Sequence, residues 1–151
     1  MPTQPAQPTT PNILSIAGTD PTGGAGIQAD LKSIAAAGGY GMCVVTSLVA
    51  QNTQGVREIH TPPQDFLRAQ LAAVFDDVQV DAVKVGMLGD AETTATVSEF
   101  LAQHPVDHVV VDPVMVATSG DRLLTADAED ALREFVREHA TVVTPNLPEL
   151  A

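Results

Sequence analysis

Apolar residues along this chain switch between two periods. Short Val- and Ile-rich runs at 13–17, 43–50, 82–86, 108–112 and 141–144 read as strands, with a shorter one at 55–60. Between them apolar residues recur at helical spacing. Ile27, Leu31, Ile34 and Ala35 share one face, and so do Leu67, Leu71, Val74 and Phe75. Val97, Phe100 and Leu101 form a third stripe, and Ala128, Leu132, Phe135 and Val136 a fourth. The punctuation agrees. Thr61-Pro62-Pro63-Gln64 predicts a capped start with proline in the first turn and a capping-box glutamine. Asp90 and Thr125 are placed to cap the next two helices, and Gly38-Gly39 to end the first. Near-continuous apolar strands separated by amphipathic helices predict an α/β fold, its sheet parallel and covered on both faces.

In such sheets ligands bind outside the carboxyl ends of the strands. That rule gathers the polar residues that interrupt the pattern. Asp20 follows the first strand, Gln51 and Asn52 follow the 43–50 run, and Gly86 and Met87 follow the third. Asp112 closes the fourth and Asn146 follows the fifth, so all of them fall on one rim. Residues 1–11 (MPTQPAQPTTP) carry proline at every third position from 2 to 11 and have little to bury, so they are expected to form a disordered tail ahead of a folded unit at 12–151.

Composition narrows the class of partner. Apolar residues make up 44% of the 151, enough for a core, but aromatics only 3%, so that core must be aliphatic. Seven Lys and Arg stand against 19 Asp and Glu, a formal charge of −12, which repels nucleic acid and anionic membranes. The acidic residues are dispersed, as on a solvated surface. The lone Cys43 lies in an apolar run and reads as a buried structural thiol, with no disulfide framework. No long apolar span or leader pattern is present, and a cytoplasmic protein is expected.

The run AGTDPTGGAGIQAD at 17–30 places three glycines between Asp20 and Asp30, at the turn from a strand into a helix. Such a turn lets a ligand approach bare backbone. It lacks the Lys-Ser/Thr of a phosphate loop and the G-x-G-x-x-G of a dinucleotide site, which weakens a dinucleotide-dependent oxidoreductase. The two aspartates call for a ligand with hydrogen-bond donors, although Asp30 also suits the helix dipole on structural grounds alone. Gln51 offers a donor and an acceptor to an amide-like or aminopyrimidine edge. Gly86 marks close backbone approach, and Met87 packs either on a flat ring or in the core. Asp112 ends an otherwise apolar strand and needs a metal, a cation or ligand donors. Asn146 reads as a helix cap before Glu149; with Asp112 on the same rim, this group has the hard oxygens of a Mg²⁺ site. The four histidines show no metal spacing, and no Ser–His–Asp arrangement is present.

Taken in order, AGTDPTGGAGIQADLK (17–32), VVTSLVAQNTQGV (44–56), VKVGMLGD (83–90), VVVDPVMVATSGDRLL (109–124) and VTPNLPEL (143–150) resemble the hydroxymethylpyrimidine/phosphomethylpyrimidine kinases of thiamin biosynthesis. The resemblance implies a ribokinase-like three-layer αβα sandwich with a mostly parallel sheet, truncated on its carboxyl-terminal side. It implies phosphoryl transfer from ATP to 4-amino-5-hydroxymethyl-2-methylpyrimidine, and then to its monophosphate. By motif Gly18, Asp30, Val49, Gln51, Met87 and Val114 would line the pyrimidine pocket, with Asp30 and Gln51 on the ring's amino and nitrogen edge and Met87 and Val114 on its faces. Asp112 and Glu149 would serve Mg²⁺ and the phosphates, and Asn146 the nucleotide side. The family's anion hole and catalytic acid or base lie beyond the matched segments, so no catalytic residue is expected within this chain. Its partners would be a small pyrimidine and, in the intact protein, a second copy. A pyridoxal kinase of the same superfamily is the nearest alternative; a non-catalytic pyrimidine-binding fragment is another.

Overall fold

A computed structural model of the chain describes residues 10–115, 124, 126–147 and 149. Residues 1–9 of the tail predicted at 1–11, the Thr125 cap and residues 116–123 of the fourth matched segment lie outside the described residues.

Five strands form one parallel sheet: β1 (Asn12–Ala17), β2 (Tyr40–Val45), β5 (Ala82–Val85), β6 (Val109–Val111) and β7 (Val142–Val143). Their order is β2-β1-β5-β6-β7. Two further strands, β3 (Leu48–Asn52) and β4 (Gly55–His60), pair antiparallel as a separate hairpin. The 43–50 run is therefore not one strand, and Gln51 and Asn52 lie within β3 rather than after a sheet strand. The chain leaves the sheet at Thr46-Ser47, where polar groups tie it to neighbouring strand ends. Thr46 N–H donates to Ala17 O at 3.0 Å, Thr46 Oγ1 to Met87 O at 2.6 Å, and Ser47 O accepts from Thr19 N–H at 3.0 Å. Apolar periodicity runs straight through this break and cannot show it.

The helices are α1 (Gly26–Ala36), α2 (Gln64–Phe75), α3 (Ala91–Gln103) and α4 (Ala126–His139). Helices α2, α3 and α4 pack side by side, while α1 packs on β1 and β2 apart from them. Right-handed crossovers running in opposite directions from β1 require this split. Each strand alternates accordingly. Leu14, Ile16, Val83, Val85, Val109 and Val111 join Leu67, Leu71, Val97, Leu101, Leu132 and Phe135 in one dry core. Full burial of each such side chain contributes roughly 1.5–3 kcal/mol. The residues between them, Ser15 and Lys84, take the other face, and the β1–β5 register sets these two side by side.

Two of the predicted boundaries hold. Asp90 caps α3 by accepting from Thr93 N–H at 2.7 Å, and Gly38, at φ +85°, turns the chain after α1. The start of α2 differs. Pro63 occupies its N-cap and no side chain caps it; Gln64 instead donates to Thr93 Oγ1 of α3 at 3.1 Å. Cys43 is only partly buried, and that burial pushes its thiol above the usual range. Among the described residues no helix is long and apolar enough to cross a membrane.

Candidate functional site

The strand order reverses between β1 and β5, and a cavity of about 670 Å³ opens outside their carboxyl ends. Gly18, Asp30, Val49, Gln51, Met87, Asp112, Val114, Asn146 and Glu149 all line it. Four parts of the fold build its walls: the glycine turn with α1, the hairpin, the ends of β5 and β6, and the segment after β7.

The glycine turn folds around Asp20. This side chain is buried, and its two oxygens accept from Thr22 N–H (2.9 Å), the Thr22 hydroxyl (2.9 Å), Gly24 N–H (3.0 Å) and Ala25 N–H (2.9 Å). Burial raises its pKa, but these bonds outweigh burial and hold the carboxyl below its ordinary value. Asp20 therefore holds the turn with both of its oxygens, although it also lines the cavity. Two amides that an anion would need are already engaged by Asp20. Gly26 lets the turn close: at φ +56°, an added Cβ would lie 2.4 Å from Gly18 O.

Asp30 is held differently. Its Oδ2 accepts from Ser15 Oγ at 2.7 Å and from Lys84 Nζ at 3.0 Å. Its Oδ1 has no donor among the described residues. Across the cavity, Val49 is pinned by its N–H donating to Thr19 Oγ1 at 2.9 Å, which fixes the hairpin over the turn. A bulge between Ala50 and Gln51 shifts the β3–β4 register next to the cavity. Met87 is buried against Gly18, where an added Cβ would fall 2.5 Å from Met87 Cε.

On the β6 side, Asp112 lies 3.8 Å from Lys84. Burial pushes the Asp112 carboxyl above its ordinary value; Lys84 pulls it back, and Glu149 and Asp30 push it up again. Asn146 and Glu149 form a reciprocal capping box. Asn146 N–H donates to Glu149 Oε2 at 2.9 Å and Glu149 N–H to Asn146 Oδ1 at 3.0 Å. The cap reading of Asn146 holds, and both residues still face the cavity. Lys84 is the residue that sequence reasoning left without a role. A lysine inside a strand was visible, but not the two carboxylates it stands between.

Residues 20–151 match the family model described as phosphomethylpyrimidine kinase. The chain belongs to the phosphomethylpyrimidine kinase family. It is 69% identical over 144 residues to the thiamine biosynthesis multifunctional protein ThiED of Corynebacterium glutamicum, covering 95% of this chain and 19% of that protein. The solved phosphomethylpyrimidine kinase of Clostridium difficile 630 superposes with a TM-score of 0.87 at 42% identity, over 93% of this chain and 61% of the other. Bacillus subtilis pyridoxal kinase, solved as an ADP complex, gives 0.81 at 37% identity, over 93% and 52%. The fold is that of the ribokinase-like kinases. The chain spans about half the length of the curated hydroxymethylpyrimidine/phosphomethylpyrimidine kinases it matches, 53% in one case.

Proposed function

We propose that this chain forms the substrate side of an ATP-dependent kinase for 4-amino-5-hydroxymethyl-2-methylpyrimidine and its monophosphate. The observation that carries the reading is the pairing of polar and apolar groups around one cavity. Asp30 Oδ1 and the Gln51 amide, neither with a partner among the described residues, supply an acceptor and a donor–acceptor pair for an aminopyrimidine edge. Met87 and Val114 supply apolar surface for the ring faces, and Gly18 and Val49 complete the wall.

The donor set also suits Mg²⁺. Asp112 and Glu149 offer hard carboxylate oxygens, and the raised Asp112 carboxyl stands to gain from a nearby cation. No group of three or more His, Cys, Asp or Glu residues is gathered for a metal among the described residues. Mg²⁺ typically takes one or two carboxylates and completes its shell with water and phosphate oxygens. When bound, it would neutralise charge on the phosphates. In this reading Asp112 and Glu149 hold the ion, and Asn146 orients the nucleotide side. Catalysis of this kind is mostly positioning and charge neutralisation. The net charge of −12 fits a small-molecule partner better than nucleic acid or membrane; in this reading the protein works in the cytoplasm as a homodimer.

Likeness to the pyridoxal kinase favours a second reading, pyridoxal as acceptor. Gln51 and Met87 tilt the choice to the pyrimidine. Incubating the full-length protein with ATP, Mg²⁺ and either compound, and following the new phosphate ester by phosphorus NMR, separates the two. Faster turnover of the pyrimidine is expected; faster turnover of pyridoxal, or none of the pyrimidine, overturns the proposal.

A further inference from the structure

We propose that Ser15 and Lys84 are positioning residues that set the amino-group specificity of the site by occupying one oxygen of Asp30 and presenting the other to the ligand. The inference rests on the reading above that Asp30 meets the ligand's amino group.

The placement follows from the sheet. Pairing of β1 with β5 sets Ser15 opposite Lys84, on the face that carries α1. Asp30, on the first turns of α1, reaches down between them. Ser15 is fully buried, and its hydroxyl donates to Asp30 Oδ2 at 2.7 Å. The Lys84 ammonium meets the same oxygen at 3.0 Å. Two donors on Oδ2 fix the rotation of the carboxylate and leave Oδ1, an acceptor with no donor among the described residues, on the cavity side. An acceptor-only group held rigidly in this way rewards a ligand N–H and penalises a ligand lacking one.

Two further features suit Lys84 to this role. Among the described residues lining the cavity it is the one cationic side chain, where Asp20, Asp30, Asp112 and Glu149 are the acidic ones. The fold also clears space for it. An added Cβ at Gly86 would lie 2.9 Å from Lys84 Nζ and 2.9 Å from Ala17 Cβ, so any side chain there would compete with the ammonium. Gly86 thus serves Lys84 as well as ligand approach.

The test compares two ligands on the full-length protein by calorimetry: the aminopyrimidine and its analogue with hydrogen in place of the amino group. Wild type is expected to prefer the amino compound. Lys84→Met should shrink that preference about tenfold while affinity for the deamino analogue stays put. Ser15→Ala removes a donor to the same oxygen without removing a charge, and should shrink it less; it serves if Lys84→Met does not fold. Asp30→Asn separates the two levels of the argument. If it abolishes the preference while Lys84→Met and Ser15→Ala leave it intact, the inference is wrong and the reading of Asp30 stands. If Asp30→Asn leaves the preference intact, both fail. Equal loss of both ligands in Lys84→Met marks a merely structural ion pair and also overturns the inference.

Discussion

Asp20 and Asp30 bracket the same glycine run, and the fold uses them in opposite ways. Asp20 is ringed by groups of its own turn: two backbone amides, plus the amide and hydroxyl of Thr22. Asp30 is held by side chains from β1 and β5, on one oxygen only. A carboxylate whose acceptor sites are filled by nearby backbone is part of the scaffold. A carboxylate fixed through one oxygen beside a cavity keeps the other for a ligand, the role proposed for Asp30. The residue type is the same in both cases; what differs is which atoms are left over.

The comparison breaks most sharply at Asp20. Asp20→Ala leaves the amides of Thr22, Gly24 and Ala25 without the buried carboxylate they share, and should destabilise the fold by about 3 kcal/mol. A thermal midpoint lowered by roughly 10 °C is the expected readout; an unchanged midpoint would mean the turn does not depend on its carboxylate. Next comes Gly26→Ala, which combines a left-handed φ with a Cβ driven onto Gly18 O. A loss of about 2 kcal/mol is expected from chemical denaturation. The smallest effect is a pH slope. The folded pKa of Asp20 lies below its ordinary value of 3.8, so the stability it contributes is present above that value and is lost as pH falls through the folded pKa. Denaturation curves taken in acid should therefore fall more steeply with pH for wild type than for Asp20→Asn. Equal slopes would remove the evidence that the turn favours the charged form.

Much of this fold was legible because its strands are Val- and Ile-rich and its helices amphipathic. The parallel sheet, the single rim and the Asp90 and Asn146 caps each follow from local pattern. The departure of the chain at Thr46-Ser47 does not, because polar ties to Ala17, Met87 and Thr19 redirect an apolar run that carries no Gly or Pro. The α2 start misleads for a related reason: Gln64 has the capping-box spacing, but Thr93 on α3 claims its amide. At the site, the nine residues singled out from the motifs do line one cavity. The division of labour between Asp20 and Asp30 depends on hydrogen-bond partners contributed by β1 and β5, and no spacing along the run carries that information. Lys84 was hidden in the same way, since its position between two carboxylates arises from strand order.

The claim that Asp30 is the recognition carboxylate is tested most directly by titrating 4-amino-5-hydroxymethyl-2-methylpyrimidine into wild type and Asp30→Asn, with the thermal midpoint of each measured on the same samples. Asp30→Asn is expected to weaken binding about tenfold or more while the midpoint shifts only slightly. Undiminished binding by Asp30→Asn, at an unchanged midpoint, would contradict the claim.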